Sequence, residues 1–531
     1  MFTKIKTFVQ NYIILIGITI AGLLFRLWNL TSISLWHDEA FSALLIKYSW
    51  GEMFYRIGLD VHPPMYYMFL RIWSEVFGHS LFALRGMSVF FGVATIVVAY
   101  YFVYYIFECR RTALFAAILI AVNPFQVQYV TEARMYTMGG FFAVAAAFAL
   151  TAALRTQTAY YINAGNEFLQ KQLQKKYRWY FLLFVICSAI LILTHYYLLF
   201  TVAALGLYAV FYCIAKYKTD FKKYGMVILS GLGILISFLP WLKIFLFQFK
   251  QVGAGYWIPP MNIWSIPSTL WDLLIKLPIS QGRIFNISHD HLFYTLTALL
   301  TLWMIVRLIS RSKEIEKWLI LVGFLAPFGG AILFLILAKL QGNDSSVYLV
   351  RYFIFCSSFY LIIAARFFAT FKIRQIGKML AAVLILVNIY SVWNYWYLLE
   401  PQTKGGMADA AKFLTANVEP QHKLFVGSSF EFFNFKYYNN TPVQPLLFTN
   451  NNHVSDLPHF AGTAILTEED LVLDFNEAVK QGDIVWLIWT NGFGGSRPTI
   501  PTNWEKIDEK GYADARPYVG TWIIVDEYKV N

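Results

Sequence analysis

Apolar runs separated by short polar breaks occupy most of this chain. Stretches at Tyr12–Leu27, Leu81–Phe107, Tyr136–Leu154 and Met226–Phe247 predict membrane-crossing helices. Two more flank His195, and four start near Leu292, Trp318, Arg351 and Met379. A run from Thr112 is short and is broken by Asn123-Pro124. Together they give about eleven spans. The pattern shifts after Tyr397. Residues 398–531 are mixed in polarity and predict a small α/β domain. Lys423–Val426, Gly462–Leu466, Ile484–Trp489 and Tyr518–Val525 predict strands, and Met407–Thr415 and Glu468–Lys480 predict helices. The expected division is a transmembrane domain, 1–397, with a first loop at 29–80, and a soluble domain, 398–531.

Composition agrees with this pattern. Hydrophobic residues make up 58% and charged residues 14% of the 531, against about 25% charged in soluble proteins. The reading is a polytopic α-helical membrane protein. The aromatic share of 19% suits interfacial belts and grooves for lipid or sugar. Residues 1–30 read as a retained span, because no small-residue cleavage site follows the apolar run.

The net charge of +12 would point to nucleic acid on a soluble protein. Here it falls in alternate loops: Arg110-Arg111, Lys171–Arg178, Lys216–Lys223, Arg307–Lys317 and Arg366–Lys378. That is the cytoplasmic bias of membrane proteins, so the amino terminus lies inside and nucleic acid is excluded as a partner. The remaining loops and 398–531 are then exoplasmic. Cys109, Cys187, Cys213 and Cys356 all lie in or beside spans, which leaves no disulfide framework. Gly492–Ser496 lacks the Lys-Ser/Thr of a phosphate loop and reads as a turn.

The rare polar clusters fall on the predicted exoplasmic side. Asp38 and Glu39 follow the first span by about ten residues, close enough to stay at the membrane surface. A carboxylate there serves as a general base toward a hydroxyl, binds a cation, or simply opens an amphipathic helix. Asp60-Val61-His62-Pro63-Pro64 fixes a rigid turn around His62, suited to a phosphate, a metal or a helix start. Arg85 and Arg351 sit at outer span ends, against the charge bias, as phosphate or carboxylate partners. Glu132 and Arg134 follow the short third span, where charge at membrane depth is costly and is functional or paired. His195, between two spans, reads as a structural histidine or a ligand, and Tyr196 and Tyr136 complete the polar and aromatic set. A base for an acceptor and cations for a departing phosphate are the parts for sugar transfer from a lipid carrier.

Three stretches carry a family resemblance: Asp38-Glu39-Ala40, Asp60-x-His62-Pro63-Pro64-x-Tyr66-Tyr67 and Phe77-Gly78-x-Ser80-x-Phe82-Ala83-Leu84-Arg85. With Glu132-Ala133-Arg134-Met135-Tyr136 and His195-Tyr196-Tyr197 in the same order, the chain resembles family 39 membrane glycosyltransferases of the C-type fold. Relatives include protein O-mannosyltransferases and lipid A aminoarabinose transferases. The resemblance spans residues 10–200, with Arg351-Tyr352 matching more loosely.

The resemblance implies a polyprenyl-phosphate sugar donor, an exoplasmic lipid, glycan or protein acceptor, and inversion at the anomeric carbon. Asp38 would be the catalytic base, supported by Glu39. His62, Arg85, Arg134 and Arg351 would bind the donor phosphate, and Asp60, Glu132, Tyr136, His195 and Tyr196 would line the cavity. Some such enzymes use a divalent cation, and Asp38, Glu132 and His195 would be ligand candidates; the sequence leaves metal dependence open. The segment Gln248–His291 is too short for the inserted domain of protein O-mannosyltransferases, which favours a bacterial-type lipid or glycan transferase. The rival is a transporter or flippase of lipid-linked glycans, which would carry repeated halves and midplane charges; neither is visible in the sequence.

Overall fold

A helix is the one open-ended structure that satisfies its own backbone in lipid. The computed structural model is accordingly mostly helical. It describes residues 2–254, 258–277, 283–284, 287–340, 342, 346–400, 403–492, 494–515 and 521–531. In chain order the first helices are α1 (Phe2–Leu27), α2 (His37–Leu45), α3 (Trp50–Leu59), α4 (Met65–Phe77) and α5 (Leu81–Phe107). Next come α6 (Arg110–Val122), α7 (Pro124–Val130), α8 (Tyr136–Ile162), α9 (Glu167–Ile192) and α10 (Leu198–Tyr217). They are followed by α11 (Gly225–Phe238), α12 (Leu242–Ala254), α13 (Ser265–Leu274), α14 (His289–Arg311), α15 (Lys317–Leu340), α16 (Ile354–Ala369) and α17 (Arg374–Leu399). A small hairpin, β1 (Arg283–Ile284) with β2 (Ile287–Ser288), precedes α14.

Among the described residues, eight helical segments are long and apolar enough to cross a membrane. A ninth arises if α6 and α7, bent by 51° at their junction, form one span. Apolar Tyr12–Leu27 within α1 is shorter, and α9 carries Lys171, Lys175, Lys176 and Arg178 in its first half.

The chain divides into two compact units. One comprises Met1–Trp28, Met87–Thr131 and Met135–Asn394. Its sharpest feature is the α6–α7 break. Pro124 has no N–H to give, so carbonyls at the end of α6 lose their helical partners. Arg26, fully buried, replaces them, donating from Nη1 to Ala121 O (2.8 Å) and from Nη2 to Ile120 O (2.9 Å). Asn123 then caps α7, its Oδ1 accepting from the Gln126 N–H at 3.0 Å. Asn123 Nδ2 also donates to Leu273 O and to Asn388 Oδ1, both at 3.1 Å. With Asn388 Nδ2 donating to Leu274 O at 3.0 Å, the last two carbonyls of α13 gain side-chain donors. Part of the segment predicted as a loop, Gln248–His291, is therefore helical. In α13 the buried residues Leu270, Leu273 and Leu274 keep helical spacing over too short a run to stand out in sequence; residues 255–257, 278–282 and 285–286 lie outside the described set.

The second unit comprises Asn29–Gly86, Glu132–Arg134 and Tyr395–Asn531. Its last part holds α18 (Gly406–Asn417), β3 (Lys423–Val426), α19 (Ser429–Tyr438), β4 (Leu446–Phe448), β5 (Leu471–Val472), α20 (Phe475–Ala478), β6 (Ile484–Thr490), β7 (Trp504–Asp514) and β8 (Thr521–Val530). The sheet order is β5-β4-β3-β6-β8-β7. β5, β4, β3 and β6 are parallel, and β8 and β7 join antiparallel. Phe425, Val472, Phe475, Val485, Leu487, Trp504 and Tyr528 form one apolar core on this sheet.

Two predicted elements differ. Gly462–Leu466 is a run of turns, because Gly462 takes a left-handed conformation (φ +83°) that closes a 3-10 turn. Glu468–Lys480 makes one 3-10 turn, closed by the Thr467–Asp470 capping box, then strand β5, and is helical only over the four residues of α20. Its apolar residues Val472 and Phe475 serve the sheet core rather than one helix face. The predicted last strand is β8, with Tyr518–Gly520 outside the described residues. Strand β7 escaped prediction because its middle residues are charged and exposed.

The first loop folds into this unit. Ser34 Oγ donates to Gly405 O and accepts from the Ala408 N–H at 3.1 Å. The Leu35 N–H donates to Tyr438 Oη at 2.9 Å, and Tyr437 Oη donates to His79 O at 3.0 Å.

Helix α19 also carries Glu431, 6% exposed. Burial, with the Asp514 carboxylate nearby, pushes its pKa up to about 8. A raised carboxyl pKa favours the protonated form in the fold. Its contribution is therefore full below the unfolded value and is lost as pH rises toward 8. Glu431→Gln keeps the acceptor that Asn434 Nδ2 uses (3.1 Å) and removes the titration. The variant is expected to be more stable at pH 7 by about 2–3 kcal/mol, and to flatten the loss of stability between pH 5 and 8. Thermal unfolding across that range checks both.

Candidate active site

Helix α2 begins at an extended Trp36 and places His37, Asp38 and Glu39 in its first turn, where the helix dipole favours negative charge. Successive residues on a helix point about 100° apart, so the two carboxylates part company. Glu39 is fully buried, whereas the Asp38 side chain retains 28% exposure.

Glu39 meets Arg85, also fully buried. Arg85 Nε and Nη2 donate to Glu39 Oε1 and Oε2 at 2.9 and 2.8 Å. Nη1 donates to Leu30 O and Ile33 O, and Nη2 to Ser34 O. All five guanidinium protons are thereby used on the protein itself. That geometry locks the chain between α1 and α2 and departs from the phosphate contact the sequence suggests. Glu39 Oε1 also accepts from the Ala133 N–H at 2.7 Å, which ties the Glu132–Arg134 loop to α2.

Arg134 is 3% exposed. Its Nη1 donates to Asp38 O (3.1 Å) and Ser42 Oγ (3.0 Å). Its Nη2 lies 4.0 Å from Asp38 Oδ2 and 3.5 Å from His62 Nε2. His62 Nδ1 lies 3.0 Å from Asp60 Oδ2. Burial alone would raise the Asp60 pKa, but the neighbouring His62, the Val61 N–H and Arg134 hold it below the usual carboxylate range. An ionised Asp60 only accepts, so His62 Nδ1 donates to it, leaving Nε2 to accept from Arg134. Pro63 and Pro64 set this turn immediately before α4. Glu132, 6% exposed, precedes Ala133 in the same loop.

The structure therefore gathers Asp38, Glu39, Asp60, His62, Arg85 and Arg134 within one unit. Sequence reading missed three neighbours. Ser42 lies one helical turn beyond Asp38, a spacing that is visible in the sequence. Tyr67, fully buried, has its pKa raised by burial, with Arg134 opposing, and so keeps its phenol proton. His37 packs against Phe430 (4.9 Å) and Phe433 (5.5 Å) of α19, and burial lowers its pKa, so it is neutral near pH 7. No local signal marked these distant aromatic partners.

Tyr136, His195, Tyr196 and Arg351 belong to the membrane unit. Tyr136 heads α8 and packs 5.4 Å from Tyr129. His195 lies between α9 and α10, its ring 4.6 Å from Tyr352 and 5.4 Å from Phe355. Arg351 stands beside Tyr352 in a 3-10 turn. Tyr196 Oη bonds Gln248 and accepts from Trp241 Nε1 at 2.8 Å. Among the described residues no group of three His, Cys, Asp or Glu side chains is arranged to hold a metal ion.

Residues 61–174 match the family described as dolichyl-phosphate-mannose-protein mannosyltransferase. No curated protein matches the chain. Among solved structures, ArnT from Cupriavidus metallidurans bound to undecaprenyl phosphate is similar with a TM-score of 0.58 and 11% identity, over 96% of this chain and 97% of that one. Its apo form gives a TM-score of 0.57 and 11% identity, over 89% and 92%. The transporter or flippase reading finds no support among these matches. Residues 61–174 thus match a mannosyltransferase family, and the chain has a fold similar to that of ArnT.

Proposed function

We propose that this protein is an inverting glycosyltransferase that moves a sugar from a polyprenyl-phosphate donor to a hydroxyl of an exoplasmic lipid, glycan or protein. It crosses the membrane about eleven times, with α1, the α6–α7 pair and α9 as spans beside the eight clear ones. Residues 29–80 and 398–531 then lie on the exoplasmic side, as the basic loops require.

One observation carries the reading: of the paired carboxylates, Glu39 is neutralised by Arg85, while Asp38 keeps solvent access beside a buried arginine. Asp38 takes the acceptor's hydroxyl proton. The acceptor oxygen bonds to the anomeric carbon from the face opposite the phosphate, and the bond from that carbon to the phosphate oxygen breaks. Polyprenyl phosphate leaves with its electron pair, and the anomeric configuration inverts. Arg134 stabilises the charge gathering on the departing phosphate, and His62, whose Nε2 accepts from Arg134, holds that arginine rather than touching the phosphate itself. Glu39 and Arg85 fix α2 against the Arg134 loop. Asp60 sets the tautomer of His62.

The test is to incubate purified protein with a panel of radiolabelled polyprenyl-phosphate sugars and membrane extract, and to determine the anomeric configuration of any product by NMR. Transfer with inversion supports the proposal; a retained configuration, or donor binding without transfer to any extract, overturns it.

A further inference from the structure

Serine is no strong helix former, and a buried hydroxyl costs free energy unless it is hydrogen-bonded. Ser42 is fully buried within α2, one helical turn after Asp38, and the transferase reading gives it no role. Its Oγ donates back to Asp38 O at 2.9 Å, which uses its single proton. The lone pairs of Oγ are left to accept, and Arg134 Nη1 donates to them at 3.0 Å. The same Nη1 donates to Asp38 O at 3.1 Å, so both of its protons are committed to α2. One acceptor would act as a hinge for the guanidinium. Two acceptors fix its direction, because the fork is planar and rigid.

We propose that Ser42 is a positioning residue that holds Arg134 off Asp38, so that the carboxylate meets an acceptor hydroxyl instead of locking into an ion pair. Arg134 Nη2 stands 4.0 Å from Asp38 Oδ2. An arginine and a carboxylate attract, and without restraint they close to about 2.7–2.9 Å. The next residue of the same helix shows the closed form, with Arg85 on Glu39 at 2.9 and 2.8 Å. His62 Nε2 meets Nη2 at 3.5 Å, a long contact beside the two shorter ones on Nη1. Without the Ser42 hydroxyl, a swing of about 1 Å around Asp38 O brings Nη2 onto Oδ2. A carboxylate paired in that way is a weaker base and must break the pair before it takes a proton. One buried hydroxyl thus keeps Asp38 from the scaffold role that Glu39 fills. The catalytic consequence rests on the transferase reading; the separation does not.

The experiment uses the full chain in lipid vesicles, with 13C at the aspartate carboxyls and 15N at the arginine guanidinium groups. The solid-state dipolar coupling of the Asp38–Arg134 pair, assigned by its loss in Asp38→Asn, reads the separation without reference to activity. Ser42→Ala removes the hydroxyl, and Ser42→Cys replaces it at similar size with a weak acceptor. Ser42→Thr retains it. In the Ala and Cys variants the coupling is expected to strengthen as Nη2 closes on Oδ2, and in Ser42→Thr to stay at the wild-type value. Sugar transfer from a labelled polyprenyl-phosphate sugar is expected to fall about 10–10²-fold in the first two, in line with the cost of small misplacements in a site, and to be rescued by threonine. In an Asp38→Asn background Ser42→Ala is expected to cost little more, because no carboxylate remains to be locked. Unchanged coupling in folded Ser42→Ala and Ser42→Cys would overturn the proposal, as would a rate loss that simply adds to that of Asp38→Asn. Stronger coupling in a protein that transfers no sugar would uphold the spacing role and sink the transferase reading instead.

Discussion

Asp38→Asn is expected to lower sugar transfer by about 10²–10⁴-fold, the range a positioned general base supplies. Asparagine keeps the size and position of the side chain and cannot accept the acceptor's proton. The Asp38 backbone carbonyl that receives Arg134 Nη1 is unchanged, so Arg134 stays seated. The loss should therefore fall on kcat, with donor affinity preserved and thermal stability within about 0.5 kcal/mol of wild type, as for exposed substitutions elsewhere. Asp38→Glu separates base chemistry from geometry: the longer side chain restores a base in the wrong place and should recover only part of the rate. Single-turnover transfer with a labelled donor reads these effects directly.

Glu39→Gln is expected to do the opposite, costing fold before chemistry. The amide cannot take both Arg85 donors and the Ala133 N–H, and it leaves a fully buried guanidinium without its counter-charge. Breaking one side of such a pair costs about 3–5 kcal/mol. Replacing both charges, as in Glu39→Leu with Arg85→Met, removes the stranded charge and should recover part of that stability. The three carbonyls of Leu30, Ile33 and Ser34 would still lose their donor, so recovery should be incomplete. Thermal unfolding of Glu39→Leu, Arg85→Met and the double variant gives the coupling energy. Similar losses in Arg85→Met and Glu39→Leu, with non-additivity in the double, would establish Arg85 as scaffold. An Arg85→Met protein of wild-type stability with weakened donor binding would return it to the phosphate-contact role.

The difference between these two neighbours shows what sequence conveys here. Asp38-Glu39 reads as one acidic pair. Only the helical turn, with one carboxylate rotated into the core and the other toward solvent, assigns them separate roles. Charge placement against the positive-inside bias marked Arg85 as unusual but could not say what it faced, because its partners Leu30, Ile33 and Ser34 offer backbone carbonyls, which have no side-chain signature. The membrane helices were legible because lipid enforces long apolar runs. The break at Asn123-Pro124 was legible because proline removes a donor at any depth. The sheet domain was less so: β6 is apolar along its length, while β7 is a charged edge and β5 is two residues inside a stretch of helical composition. The aromatic contacts from Phe430 and Phe433 to His37 join positions about 390 residues apart, a separation that local periodicity does not encode.

The central claim is that Asp38 removes the proton that allows an acceptor to displace polyprenyl phosphate. The most direct measurement places wild type and Asp38→Asn side by side, reading bound donor and transferred label in the same sample. The expected result is equal donor occupancy, with transfer by wild type and about 10²–10⁴-fold less by the variant. Equal transfer by both proteins would contradict it.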